Sequence, residues 1–424
     1  MNSANLGLGA QSDPSTFRSY LFFWSGQLVS LLGSSIAQFV IIWWITVETG
    51  SAMYLSLASF LGLAPMVLLS PFTGVLADRW NRKALIFTAD LLQALATVAL
   101  ILLFAVGNIQ IWQILAILTL RGILQAFHSP TVSAIIPSMV SRDKLSRING
   151  LNYLLSGAVA LIGPVIAAVL LGFWEIGQIL WIDALTFLVA LVPLLIITIP
   201  SVRKKQEQSS FKTELVQGLT FIKKARGLLS LLILAAALNF LLTPLSTLLP
   251  YYVKFDHLGE ATDLAFVTVF LQGGILAGGL LMSITKGFKN KMTAIVISIY
   301  VIFAGYGLIA LTPTGLFWFM ATSALILAIC LPIANVSTQT IIQTAVPLEM
   351  QGRVGSVATA LASAAQPFGM ILSGVIVELT KTANLFLACT ITGILILTIS
   401  WFFTDIRHVE LLGQEEPKSQ DGEG

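Results

Sequence analysis

The sequence predicts an all-α polytopic membrane protein with 12 transmembrane helices in two pseudo-symmetric six-helix bundles. Composition, the spacing of apolar runs and the placement of basic residues predict this fold class. Of the 424 residues, 56% are apolar and 10% are charged, whereas roughly a quarter of the residues in a soluble domain are charged. A soluble core cannot hide so much apolar surface, so a bilayer must be the main solvent.

The apolar runs have the length of membrane spans. A helix needs about 20 apolar residues to cross roughly 30 Å of hydrocarbon. Helices are required because no water satisfies backbone groups inside the bilayer. The predicted spans lie at residues 20–45, 51–76, 84–106, 109–133, 146–172, 177–199, 227–253, 263–286, 291–311, 314–341, 354–378 and 383–404.

Basic residues are distributed unevenly between the loops. Of the 23 Lys and Arg residues, 20 fall on the side that holds the N-terminus. The opposite side receives only Lys254 and Lys381, and Arg121 lies within a span. Because basic loops stay in the cytoplasm, we predict a protein of the cell membrane with both termini cytoplasmic.

The longest basic loop divides the chain. We predict an N-terminal bundle at residues 1–200, a cytoplasmic linker at 201–226, a second bundle at 227–406 and a disordered tail at 407–424. Residues 211–224 have the spacing of an amphipathic helix. The halves form a parallel repeat offset by 206 residues, in which Arg147 matches Arg353 and Gly163 matches Gly369. Such repeats are typical of secondary transporters.

A specific motif follows the second span, between Gly74 and Lys83. It resembles the signature that the major facilitator superfamily carries between its second and third helices. Asn81 replaces the usual glycine of that signature, and we expect the left-handed backbone that asparagine tolerates. The residues that match the signature are Gly74, Asp78, Arg79, Arg82 and Lys83.

The resemblance implies a gate. In the family, the acidic residue of the motif binds a helix end in the second bundle, here near Arg353, and stabilises one conformational state. Within this chain, residues 121–130 and 181–187 are similar to the drug–proton antiporter branch that contains macrolide and siderophore exporters. Gly163 and Pro164 are similar to the antiporter helix motif, and we expect them to belong to the gate, although Val159 and the pair at 167–168 depart from the glycines of that motif.

Three ionisable residues stand out inside predicted spans: Asp90, Arg121 and Asp183. Such groups are costly in hydrocarbon, and they are therefore candidates for proton coupling. Depths estimated from the helical rise of about 1.5 Å per residue favour an Asp90–Arg121 pair over an Asp183–Arg121 pair. A static ion pair is the alternative to a proton site.

Polar residues at helical spacing predict a cavity lined by the first and fourth spans of each half. The same positions could instead serve as hydrogen bonds between helices. The predicted cavity residues are Gln38, Gln125, His128, Asn239, Thr243, Asn335 and Gln339.

We interpret the chain as a transporter that exports hydrophobic or amphipathic molecules, such as macrolide-like drugs, by alternating access and proton antiport. A siderophore exporter, a lysophospholipid flippase and a receptor without transport are the alternatives. The sequence has no phosphate-binding Gly-Lys-Ser loop and no His-Glu-x-x-His metal motif, so we expect no ATP-driven pump, enzyme or cofactor. The expected partners are substrate, protons and lipids, without nucleic acid, and a monomer is expected.

Overall fold

A computed structural model describes residues 14–198, 211–285, 287–407 and 409. These residues form helices joined by short loops. The α-helices are α1 (Pro14–Thr49), α2 (Ala52–Arg79), α3 (Arg82–Val106), α4 (Ile111–Met139), α5 (Arg142–Leu171), α6 (Ile176–Ile196), α7 (Phe211–Lys224), α8 (Leu228–Tyr251), α9 (Ala261–Ile284), α10 (Lys291–Ala310), α11 (Phe317–Ala345), α12 (Gln351–Ala364), α13 (Gln366–Leu379) and α14 (Thr382–Phe403).

Within the described residues, 12 segments are long and apolar enough to cross a membrane, which confirms the predicted fold class. Most begin or end several residues beyond their predicted bounds. The eleventh segment consists of two helices, α12 and α13, that meet at Ala365. Pro367 lies in the first turn of α13 and lacks a backbone N–H, so the helical hydrogen-bond ladder is interrupted there.

The chain forms two compact units. The first contains residues 1–41 and 64–205, and the second contains 42–63 and 206–424. The predicted bundle boundaries at residues 200 and 227 stay a prediction, and so does the tail, since residues 410–424 lie outside the described part. The first unit has a core in which Tyr20 and Phe23 of α1 pack with Ile86, Ile135 and Leu194.

The linker helix is confirmed at its predicted bounds, Phe211–Lys224. Its buried residue Ile222 packs with Val354 and Val357 of α12 in one apolar cluster. The amphipathic spacing thus reflects contact with α12. The linker residues 201–210 lie outside the described residues.

The carboxylate of Glu378, near the end of α13, binds the start of α2. It accepts hydrogen bonds from the Ser51 hydroxyl at 2.5 Å and from the Met53 backbone N–H at 3.3 Å. Both partners belong to the segment of α1 and α2 that clusters with the second unit. A carboxylate at a helix N-terminus satisfies free N–H groups and favours the helix dipole.

A single π-turn, Tyr252–Asp256, extends α8. The Tyr252 hydroxyl donates to the carbonyls of Ile309 and Ala310 at 3.0 and 3.2 Å. The ring centroid of the buried His257 lies 4.5 Å from that of Tyr252. Burial lowers the pKa of His257, while the Asp256 carboxylate and a hydrogen bond to the Pro313 backbone raise it to a smaller extent.

This lowered pKa predicts a loss of stability in acid. The unfolded chain binds a proton on His257 at a pH of about 6.5, before the folded protein does. The contribution to stability is therefore present above pH ~6.5 and is lost as the pH falls toward the folded-state pKa. We expect the difference in melting temperature between pH 7.5 and pH 5 to be smaller in His257→Gln than in the wild-type protein in detergent. An equal difference in both proteins would contradict this assignment.

Candidate functional site: two polar layers and an apolar pocket

Asp183 of α6 lies at the centre of a polar network in the first unit. Its side chain is buried, and Oδ2 lies 2.8 Å from Nη1 of Arg121 on α4. The hydroxyls of Ser34 and Thr97 donate to its two oxygens at 2.8 and 2.7 Å. Arg121 also donates to Oγ1 of Thr97 at 2.8 Å. Three helices thus supply donors to one carboxylate, whose charge the guanidinium balances.

Close helix contacts make this network possible. A Cβ on Gly33 would lie 3.1 Å from Cα of Asp183 and would overlap the Thr186 hydroxyl. Glycine therefore allows α1 to approach α6, and the next residue, Ser34, reaches the carboxylate. In the same way, a Cβ on Gly163 of α5 would overlap the side chain of Ser35. Gly163 and Pro164 thus lie in the first unit, and their gating role stays a prediction.

The predicted pairing of Asp90 with Arg121 was wrong. Arg121 pairs with Asp183 instead. The prediction counted the depth of Asp90 from the cytoplasmic edge and the depth of Arg121 from the outer edge, and it assumed that both helices span roughly 30 Å. The helices are longer than this assumption and differ in length, because α3 has 25 residues and α4 has 29. From the shared end, where α3 stops at Val106 and α4 starts at Ile111, Arg121 is about 15 Å deep and Asp90 about 24 Å.

Asp90 forms a second polar layer. Its side chain is only 2% exposed, and Oδ1 lies 3.0 Å from Nε2 of His128 on α4. The Gln27 amide of α1 donates to Oδ2 at 3.2 Å. The His128 ring is close to the carboxylate but is not aligned for a hydrogen bond, and its buried Nδ1 has no partner among the described residues. The sequence singled out both residues without pairing them.

The two layers share one register. Each helix that supplies a side chain to the Asp90 layer also supplies one to the Asp183 layer. The two residues are seven positions apart, which is about 10 Å along the helix axis. The matching pairs are Gln27 and Ser34 on α1, Asp90 and Thr97 on α3, and His128 and Arg121 on α4. One buried carboxylate therefore lies in each layer. Asp183 faces the guanidinium of Arg121, and Asp90 faces the imidazole of His128.

The basic end of the gate motif binds backbone carbonyls of α4 and α6 within the first unit. Arg82 donates to the Ala134 carbonyl at 2.9 Å, and Lys83 donates to the Leu195 and Ile197 carbonyls at 2.8 and 2.7 Å. A lysine at the last carbonyls of α6 satisfies groups that the helix leaves free.

Two expectations for this motif have different outcomes. Asn81 is extended, with φ −67°, and its side chain accepts from the Ala84 N–H as the N-cap of α3, so the left-handed expectation was wrong. Arg353 donates to Oε1 of Gln217 on the linker helix at 2.7 Å. Its gating role stays a prediction, because the side chains of Gly74, Asp78 and Arg79 lie outside the described part.

The second unit contains a pocket between α8, α10 and α11, with about 580 Å³ of empty space that includes volume open to solvent. The polar groups in its wall are Asn239, Asn335 and Thr338. The sequence predicted the two asparagines but not the wall from α10. Apolar side chains that line the pocket include Leu234, Leu238, Ile299, Ile302, Phe303 and Leu331.

The other predicted cavity residues do not line this pocket, and their role stays a prediction. Thr243 is buried and donates to the Asn239 carbonyl at 2.8 Å. Gln38 and Gln339 are exposed, and Gln125 is half-buried. Asn239 donates to the Ala362 carbonyl at 3.2 Å, whereas the Asn335 amide has no hydrogen-bond partner within the described residues. Within the described residues, the Asn335 amide and the Thr338 hydroxyl are thus polar groups of the pocket that are free to bind a ligand.

The fold and these sites define a polytopic helical transporter, and comparison with known proteins agrees. The family model of the Major Facilitator Superfamily matches residues 23–366. This chain belongs to that superfamily. Among solved structures, it resembles a mutant form of the nucleoside transporter NupG, with TM-score 0.67, 15% identity and coverage of 90% of this chain and 98% of the other. It also resembles an inward-facing bacterial homologue of the iron transporter ferroportin, with TM-score 0.68, 16% identity and the same coverage.

The curated relatives are transporters. The chain is 29% identical to macrolide efflux protein A of Streptococcus pyogenes over 391 residues, or 92% of this chain and 96% of the relative. It is 24% identical to the multidrug efflux pump Tap of Mycolicibacterium fortuitum, with coverage of 89% and 94%. It is also 28% identical to the staphyloferrin A transporter of Staphylococcus aureus, with coverage of 62% and 67%.

Proposed function

We propose that this transporter exports hydrophobic or amphipathic small molecules, macrolides among them, in exchange for protons. The observation that carries this proposal is the apolar pocket of the second unit. Its wall combines apolar side chains with a few polar groups, the composition that is typical of small-molecule sites. The near full-length similarity to a macrolide efflux protein supports the direction of transport and the substrate class.

The chemistry of the pocket favours this class over polar, anionic ligands. Its polar groups are the neutral amides of Asn239 and Asn335 and the hydroxyl of Thr338. A multiply charged anion would need cationic partners, because burying an unpaired charge is costly. An uncharged or weakly basic amphipathic molecule needs only hydrogen bonds to the amides and contact with the walls. A siderophore, suggested by the staphyloferrin relative, is the second candidate.

The proposed mechanism is alternating access in the cell membrane by a monomer with cytoplasmic termini. The motif from Gly74 to Lys83, together with Arg353, serves as the gate, and its residues Arg82 and Lys83 bind backbone carbonyls near the ends of α4 and α6. Proton exchange supplies the driving force, because export against a gradient needs a coupled ion and the first unit buries two carboxylates, Asp90 and Asp183.

A substitution at Asn335 tests the pocket. Asn335→Leu removes an amide that binds the ligand and keeps a similar volume. Loss of one hydrogen bond costs about 1 kcal/mol, or about a fivefold loss of apparent affinity. The measurement is accumulation of a panel of macrolides and other drugs in an efflux-deficient bacterium that expresses each variant.

Asn384→Leu is the matched control, because Asn384 is exposed near the start of α14 and is not part of the pocket wall. The wild-type protein and this control should lower accumulation equally, and a protonophore should abolish the effect. Export by Asn335→Leu with wild-type affinity would rule out the pocket. If the wild-type protein lowers accumulation of none of the compounds, the export proposal itself is wrong.

A further inference from the structure

We infer that the Asp90–His128 pair carries the exchanged proton, whereas the Arg121–Asp183 pair keeps a fixed charge and positions the helices. This inference rests on the proposed proton exchange and assigns it to one of the two polar layers. The assignment follows from the charges that each pair can hold while it is shut off from water.

The Arg121–Asp183 pair is neutral without a mobile proton. A guanidinium stays protonated in proteins, and the 2.8 Å ion pair balances the Asp183 carboxylate. The carboxylate already accepts from Ser34, Thr97 and Arg121. A proton added to Asp183 would displace one of these donors and leave a buried cation without its counter-ion, which is strongly destabilising. This pair therefore resists proton exchange.

The Asp90–His128 pair is neutral only when it holds one proton. Without that proton, a buried carboxylate faces a neutral imidazole and a neutral amide from Gln27. An isolated buried anion is costly, whereas one proton shared by the pair gives an imidazolium beside a carboxylate, or two neutral groups. The unpartnered Nδ1 of His128 and the unaligned contact at Nε2 leave the ring free to accept or release that proton.

Among the described residues, no fixed charge beside Asp90 replaces the proton. The other charged side chains that are described on the neighbouring helices in the membrane interior are Arg121 on α4 and Asp183 on α6, and each balances the other. Helix α1 contributes the neutral Gln27 and Ser34 to the two layers. Tyr20, seven residues before Gln27, accepts a hydrogen bond from the Asn152 amide. The charge of the Asp90 layer thus depends on its own proton.

The proposed cycle conserves protons. The pair takes one proton from water on the side where substrate leaves and holds it while the site is closed. It releases the proton to water on the side where substrate binds. The Arg121–Asp183 pair, about 10 Å away along the helices, keeps α1, α3, α4 and α6 in register during both half-cycles.

Reconstituted vesicles separate proton coupling from binding. The test uses proteoliposomes with an acidic lumen and tritiated erythromycin outside, and protein-free liposomes give the passive background. A second assay measures counterflow, the exchange of labelled for unlabelled erythromycin without a pH gradient. Counterflow needs binding and conformational change but no net proton movement. The variants are Asp90→Asn and His128→Gln, and Asp263→Asn at the start of α9 is the matched control.

We expect Asp90→Asn and His128→Gln to lose gradient-driven accumulation and to keep wild-type counterflow, while Asp263→Asn retains both. Wild-type accumulation in both Asp90→Asn and His128→Gln would overturn the assignment. Loss of counterflow in variants that elute and melt like the wild-type protein would also overturn it, because the pair would then serve binding. If the wild-type protein shows counterflow without a response to the gradient, the proposed proton exchange is itself wrong.

Discussion

Replacing Asp183 with alanine is expected to destabilise the protein by about 3–5 kcal/mol, the usual cost of removing one partner from a buried ion pair. The variant would leave the Arg121 guanidinium, whose side chain is 14% exposed, without its counter-ion. It would also remove the acceptor shared by Ser34 and Thr97. Four helices of the first unit meet at this carboxylate, so we expect the loss to affect packing throughout the unit.

The melting temperature of purified protein in mild detergent measures this loss. A double variant, Arg121→Met with Asp183→Leu, is the control, because removing both charges avoids the unpaired cation and can cost little. We expect the double variant to melt above Asp183→Ala. If Asp183→Ala melts within one degree or so of the wild-type protein, the network does not hold these helices together.

Replacing Gly278 with valine is expected to prevent correct packing of the second unit. A Cβ on Gly278 would overlap the backbone carbonyl of Ile329 on α11, and a Cβ on Gly274 would lie 2.8 Å from the Leu325 carbonyl. Small residues at this i, i+4 spacing allow two helices in a membrane to approach closely. The clash is with backbone, so a side-chain rotation cannot relieve it, and even ordinary overpacking costs about 1–3 kcal/mol.

The yield of monodisperse protein in detergent measures this effect, and Ala277→Val is the matched control because Ala277 is the exposed neighbour on the same helix. We expect Ala277→Val to give wild-type yield and Gly278→Val to give little or no monodisperse protein. Equal yield and equal melting temperature for the two variants would contradict the close contact of α9 with α11.

The sequence was sufficient for the membrane spans because the bilayer imposes one length and one polarity on all of them. It did not reveal the break at Ala365 in the eleventh span, since Pro367 is one of several prolines inside spans and most of the others lie within continuous helices. The π-turn after Tyr251 was also missed. Such local irregularities depend on tertiary contacts, which hydropathy does not encode.

For the site, the sequence identified the residues better than their partners. Asp90, Arg121, Asp183 and His128 are conspicuous because ionisable groups are rare in spans. Their pairing depends on helix rotation and on the true length of each helix, and a depth scale of about 30 Å placed Arg121 beside the wrong carboxylate. The seven-residue register could have indicated the two layers, since Gln27, Asp90 and His128 each have a polar counterpart seven residues away.

For the pocket, too, the sequence identified polar residues but not the side chains that surround them. Asn239 and Asn335 stand out as polar residues in apolar helices, and both line it. The wall from α10 could not be predicted, because Ile299 and Phe303 are indistinguishable in sequence from lipid-facing residues. Gln38 and Gln339 had the same helical spacing as the asparagines but do not line this pocket, since spacing gives a face of a helix and not what that face contacts.

The most direct test of proton-driven export measures both fluxes in one vesicle. Wild-type protein is reconstituted with a pH-sensitive dye in an acidic lumen, and tritiated erythromycin is added outside. We predict that erythromycin enters above the protein-free background while the lumen loses protons faster than without erythromycin. Entry of erythromycin with an unchanged rate of proton loss would contradict the account.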